Sequence, residues 1–144
     1  MKAPPHYLLV DDNPADRVLV QVAFELISPA AVLTCVESAS AALDLLRNHG
    51  VRPDVMLLDL DMPYMDGFQL LGEVKQDARL AQIQVVVLTG YGHKEHVERA
   101  YALQASSYLV KSLDFDRFVE QLERLVRDRQ VNGVLQDVGS HGEA

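Results

Sequence analysis

Five residues of this chain belong to types that handle phosphoryl groups or divalent cations, and each stands just past a short apolar run. Asp11 and Asp12 follow residues 7–10, Asp59 follows 55–58, Thr89 follows 85–88, and Lys111 follows 107–110. Carboxylates drawn together repel, by about 3 kcal/mol for a pair roughly 5 Å apart at an effective dielectric near 20. Three of them either raise a pKa or recruit a cation. Hard oxygens that leave room for water suit Mg²⁺ better than zinc, which prefers His and Cys. A lysine charge and a threonine hydroxyl opposite suit a phosphoryl group. The chemistry implied is phosphoryl transfer to a carboxylate, giving a mixed anhydride on an aspartate. Singly, each residue has a plainer reading: loop and N-cap for Asp11-Asp12-Asn13, turn residue for Asp59, surface charge for Lys111, strand filler for Thr89. The functional reading rests on their coincidence at strand ends.

That coincidence needs elements to produce it. Apolar, often β-branched runs at 7–10, 32–36, 55–58, 85–88 and 107–110 read as buried strands. Apolar residues on both faces suit a parallel sheet covered by helices. Between the runs, residues recur at helical spacing: Ala15, Val18, Leu19, Val22 and Leu26; Ala39, Ala42, Leu43 and Leu46; Leu70, Leu71 and Val74; Val97, Ala100 and Tyr101. The last stripe, Phe115, Phe118, Val119, Leu122, Leu125 and Val126, is the clearest. Asn13-Pro14 reads as N-cap then first helical residue, Asp114 as a cap, and Gly50 as a helix end. Five βα units predict an α/β fold: a doubly wound five-stranded parallel sheet in the flavodoxin-like order 2-1-3-4-5. In that order strands 1 and 3 are neighbours at the switch point, so Asp11, Asp12 and Asp59 converge, with Thr89 and Lys111 lining the other side.

Composition narrows the class. A chain of 144 residues with 49% hydrophobic and 24% charged residues suits one globular domain. No apolar run reaches the roughly 18 residues of a membrane span, and no signal-peptide core follows Met1. The net charge of −8 argues against nucleic-acid binding. One cysteine, Cys35, is read as a buried strand residue, and the expected setting is cytoplasmic. Residues 1–130 are expected to form the domain. Residues 131–144 are read as a disordered tail or a segment docking on a partner subunit, and no output domain is expected after 130. His93 and His96 are read as solvated surface.

With these residues in place, the sequence resembles the receiver domain of two-component response regulators. Leu8-Leu9-Val10-Asp11-Asp12-Asn13 is similar to the family's acidic pair after strand 1, and residues 57–67 to its phosphoacceptor segment, with Met62-Pro63 and Asp66-Gly67 in place. Thr89-Gly90 matches the switch threonine and small residue; Tyr108 and Lys111 match the switch aromatic and the active-site lysine. The resemblance implies that Asp59 is phosphorylated by a histidine kinase or histidine phosphotransfer protein. Mg²⁺ would be bound by Asp12 and Asp59, by the backbone carbonyl of Asp61, and by Asp11 partly through water. Lys111 would pair with the phosphoryl oxygens and Thr89 would hydrogen-bond one of them. Inward movement of Thr89 would vacate space into which Tyr108 rotates, remodelling the surface around helix 4, strand 5 and helix 5. The resemblance also implies a homodimer through that surface, and a narrower likeness points to small receivers that partner bacterial phytochrome-type kinases.

Two positions depart from the family pattern. The family usually has proline after the lysine; here it is Ser112, and a trans peptide is expected because cis before a non-proline costs about 3 kcal/mol. The pocket rim carries Asp61 and Tyr91, so the lifetime of a phosphoryl group does not carry over from the family. Two other functions fit parts of the pattern. Asp59-Leu60-Asp61 matches the DxD of haloacid-dehalogenase-type phosphatases, although that family has its DxD at the first strand and Asp11-Asp12 comes first here. A pseudo-receiver binding module would keep the fold without phosphorylation, against which the intact Asp12, Asp59, Thr89 and Lys111 set speaks.

Overall fold

A computed structural model describes residues 4–60, 62, 66–90 and 92–132, the last four by backbone alone. Strands and helices alternate: β1 (His6–Val10), α1 (Pro14–Ile27), β2 (Val32–Val36), α2 (Ala39–Asn48), β3 (Val55–Leu58), α3 (Gly67–Gln76), β4 (Gln84–Thr89), α4 (Lys94–Ala102), β5 (Ser107–Val110) and α5 (Phe115–Asn132). All strand pairs are parallel and the sheet order is β2-β1-β3-β4-β5, the doubly wound arrangement expected from the sequence.

Alternation along each strand sorts the apolar side chains into two layers. Leu8, Val10, Met56, Leu58, Val85, Val87 and Tyr108 pack with α2, α3 and α4. Tyr7, Leu9, Val55, Leu57, Val86, Leu88 and Leu109 pack with α1 and α5. The expected helix ends hold. Asn13 accepts from the amides of Ala15 and Asp16, with Pro14 at the first helical position. Asp114 Oδ1 accepts from Asp116 and Arg117, and Gly50 takes φ +67° in the turn after α2.

One helix face departs from expectation. On α1 the buried residues are Val20, Ala23 and Phe24, whereas Val18, Leu19, Val22 and Leu26 are exposed, Leu26 at 65%. The apolar stripe read from the sequence sits about a third of a turn away from the face that meets the sheet. The final helix also runs to Asn132, so residues 131 and 132 continue it rather than belong to a tail; residues 133–144 lie outside the described residues. Cys35 is half-buried on β2, the edge strand next to β1, with Gln21 Nε2 3.5 Å from its sulfur. His96 is half-buried, edge-on to Phe68 at 5.6 Å between ring centroids, while His93 is exposed.

Candidate functional site

Backbone register brings the acidic residues together. Val10 and Leu58 are direct partners on adjacent strands, so Asp11 and Asp59 leave the sheet side by side. The Asp59 amide donates to Val10 O at 3.0 Å and the Asp11 amide to Val36 O at 3.1 Å. One carboxylate oxygen from each of Asp11, Asp12 and Asp59 lies within 4.8 Å of the others. Asp11 and Asp59 are buried and Asp12 is exposed. Burial pushes the Asp11 carboxyl above its ordinary pKa, against the pull of the Asn13 amide at 2.9 Å and of the Lys111 charge. A divalent cation would relieve that cost, and the all-oxygen donor set fits Mg²⁺. Asp61, the fourth expected contact, lies outside the described residues, as does Tyr91.

The turn that carries Asp59 is braced by the start of α3. Asp66 caps that helix in a reciprocal capping box with Gln69. The Gly67 amide donates to Leu60 O at 3.2 Å. A Cβ on Gly67 would lie 2.6 Å from both Asp59 O and Leu60 Cα, so only glycine permits this approach.

On the other side, β4 and β5 end in register, Thr89 opposite Val110, and the Lys111 amide donates to Thr89 O at 2.7 Å. Thr89 is fully buried, and its Oγ1 has no hydrogen-bond partner among the described residues. Tyr108 is buried at 1% exposure, and its phenol is pushed up to about 12 by burial and then by the Asp59 charge. Tyr108, which the family resemblance led us to expect as a switch residue, is therefore already inside, in the layer shared with α4.

The Lys111 ammonium, 16% exposed, donates to Asp16 Oδ2 at 3.1 Å and Asp11 Oδ2 at 3.5 Å. Burial alone would lower its pKa; the charges of Asp11, Asp16 and Asp59 more than offset this and raise it. Asp16 did not stand out in the sequence. Its signal was its place in the first turn after the Asn13 cap, because helical side chains tilt back toward the N-terminus and so toward the site.

The Lys111–Ser112 peptide is trans. The Ser112 amide donates to Gln121 Oε1 at 3.0 Å, and Gln121 Nε2 donates back to Val110 O at 2.8 Å. Proline at 112 would have no amide to give, so Gln121 performs a tethering here that the family pattern did not suggest. Above these groups opens a cleft of about 780 Å³ whose lining includes Asp12, Asp16, Asp59, Gly90 and Lys111. Leu19 and the wholly exposed Leu113 also line it.

An open parallel α/β sheet with three carboxylates, a lysine and a buried hydroxyl at its carboxyl end defines a phosphoacceptor class of domain. Comparison with known proteins agrees: the profile of the response regulator receiver domain matches residues 7–123, and the chain belongs to that family. The family is phosphorylated on an aspartate in two-component signalling. A probable methanogenesis regulatory protein, FilR2 of Methanothrix harundinacea, is 40% identical over 125 residues, covering 84% of this chain and 78% of that protein. Among solved structures, the phosphorylated cyanobacterial phytochrome response regulator RcpA superposes with a TM-score of 0.83 at 28% identity, over 92% of this chain and 97% of RcpA. The Mn²⁺-bound response regulator Rcp1 gives 0.80 at 30% identity, over 94% and 100%. The haloacid-dehalogenase reading of Asp59-Leu60-Asp61 is not favoured. Among the described residues no helix is long and apolar enough to cross a membrane.

Proposed function

We propose that this chain is a phosphorylation switch in which Asp59 takes a phosphoryl group from a histidine kinase or histidine phosphotransfer protein. The observation that carries the reading is the fully buried Thr89 hydroxyl, which has no hydrogen-bond partner among the described residues and sits at the end of the strand whose last carbonyl holds the Lys111 amide. An orphaned buried hydroxyl costs about 1–3 kcal/mol. A phosphoryl oxygen on Asp59 would supply the missing partner.

Asp59 is the nucleophile: its carboxylate oxygen attacks phosphorus and the donor group leaves, forming the mixed anhydride. Lys111 neutralises a phosphoryl oxygen and Thr89 donates its hydroxyl proton to another. Mg²⁺, held by Asp12 and Asp59 with Asp11 partly through water, would supply charge neutralisation as phosphate approaches. A Mn²⁺-bound Rcp1 supports a divalent ion at this acidic cluster. The donor reaches Asp59 over the apolar lip of Leu19 and Leu113, which continues along α1 through Val18, Val22 and Leu26.

Output is a surface rather than a turnover. Thr89 on β4 and Tyr108 on β5 couple the acceptor to α4, β5 and α5, and a C2 homodimer through that face is the assembly we favour. The resemblance to the phytochrome response regulator RcpA supports a phytochrome-type kinase as donor, and the single Cys35 a cytoplasmic setting. The only reactions the chain catalyses in this reading are its own phosphorylation and dephosphorylation.

Incubating the full chain with acetyl phosphate and Mg²⁺ and measuring intact mass tests it. One phosphoryl unit should appear on wild type and be absent from Asp59→Asn. Repeated hydrolysis of a phosphate ester, lost in both Asp59→Asn and Asp61→Asn, would replace the switch with a phosphatase. No mass gain would leave a pseudo-receiver.

A further inference from the structure

Lys111 has three donors, and two of them are directed at carboxylates before any phosphoryl group arrives. The nearer carboxylate is that of Asp16, not a member of the acid pair. It projects from the first turn of α1, is about one-third exposed, and lines the cleft beside Lys111 and Asp59. The same turn reaches the other side of the site, where Arg17 Nη1 donates to Asp11 O at 2.8 Å. The start of α1 therefore grips both the acid-pair loop and the lysine. Of the two carboxylates that pair with this largely buried lysine, Asp16 is the shorter contact.

We propose that Asp16 is a positioning residue that restrains Lys111, and that an incoming phosphoryl group must compete with it for the ammonium. The proposal rests on Asp59 being the acceptor. Asp11 lies against both the lysine and the acidic cluster, so its contact persists when phosphate enters. Asp16 is the partner that lies outside the cluster and is free to let go. Its carboxylate also adds a negative charge to the cleft that a dianionic donor must approach. Both effects act on donor association and not on the transfer step, which predicts a split between the two kinetic parameters.

The test follows phosphorylation of the full chain across acetyl phosphate concentrations, at fixed Mg²⁺, for wild type, Asp16→Asn and Asp16→Glu. Asp16→Asn should lower the half-saturating donor concentration by about two- to fivefold, the scale of a partly exposed ion pair, with the saturating rate nearly unchanged. Asp16→Glu should return the donor dependence to that of wild type. A half-saturating concentration unchanged or raised in Asp16→Asn overturns the proposal, as does a loss confined to the saturating rate. A second readout needs no phosphorylation: acylation of Lys111 by acetic anhydride, measured against the exposed Lys94 as internal reference. Release from Asp16 should speed labelling of Lys111 in Asp16→Asn; equal labelling overturns the proposal. If wild type accepts no phosphoryl group, the acceptor reading falls on that result, and the labelling decides whether Asp16 restrains the lysine.

Discussion

Helices α1 and α5 lie side by side on one face of the sheet and both begin at the phosphoacceptor end, yet they use their apolar residues in opposite ways. On α5 the stripe legible in the sequence is the buried one: Phe118, Leu122, Leu125 and Val126 all face the sheet. On α1 the legible stripe, Val18, Leu19, Val22 and Leu26, faces out, and the sheet is met by Val20, Ala23 and Phe24. Apolar periodicity reports that a helix has a face worth covering. It does not say which neighbour covers it, and on α1 two such faces lie close together.

The most severe way to break the comparison is to truncate what each helix buries. Phe24 packs edge-on against Tyr7 at 4.9 Å, and Phe24→Ala should cost about 3–5 kcal/mol of unfolding free energy in urea titrations. Leu122→Ala, at a site with no exposure, should cost about 2–5 kcal/mol by the same measurement. A loss below about 1 kcal/mol at Phe24 would mean that α1 is held by its other face.

Coverage also shows in pH dependence on the opposite face, where Tyr108 is held un-ionised up to about 12. Between roughly pH 10 and 12 the unfolded chain releases this proton while the folded chain keeps it, so stability falls as pH rises, by up to about 2–3 kcal/mol. Tyr108→Phe should remove that part of the slope in melts across alkaline pH. Asp59→Asn should move the last step of the tyrosinate absorbance titration to lower pH, because the Asp59 charge contributes to the shift.

A smaller effect is expected where α5 reaches back to the site. Gln121→Leu removes both tethers of the Val110–Ser112 segment and should cost about 1–2 kcal/mol, with slower uptake of phosphoryl from acetyl phosphate as Lys111 loosens. The smallest belongs to the exposed strip: Val22→Ser and Leu26→Ser should stay within about 0.5 kcal/mol of wild type. A loss of several kcal/mol there would show that the strip is covered in the protein as it exists in solution.

The legibility of the site follows the same division. Asp11, Asp12, Asp59, Thr89 and Lys111 were readable because each stands at the end of a strand or just beyond it, and strand ends are local events. Gly67 was readable as part of Asp66-Gly67, although its reason, the 2.6 Å approach to Asp59 O, belongs to the folded chain. Asp16 and Gln121 were not readable. Their partners lie 95 residues away for Asp16 and 9 to 11 residues away across a turn for Gln121, and nothing in either local sequence names Lys111 or Ser112. That the Thr89 side chain is fully buried at the end of β4 was likewise a matter for the folded chain.

By itself the order of residues determined the five strands, the helix caps, the sheet order, the family, and the set of groups at the carboxyl end of the sheet. These depend on period, on turn chemistry and on handed crossovers, all of which act over short stretches of chain. Tertiary structure alone decided which side of α1 is covered, that Tyr108 is inside, and that Asp16 rather than Asp11 is the closer partner of Lys111. Those outcomes depend on how helices rotate and settle against a common sheet, where a third of a turn exchanges one apolar face for another and a difference of 0.4 Å separates the two carboxylates, 3.1 from 3.5 Å.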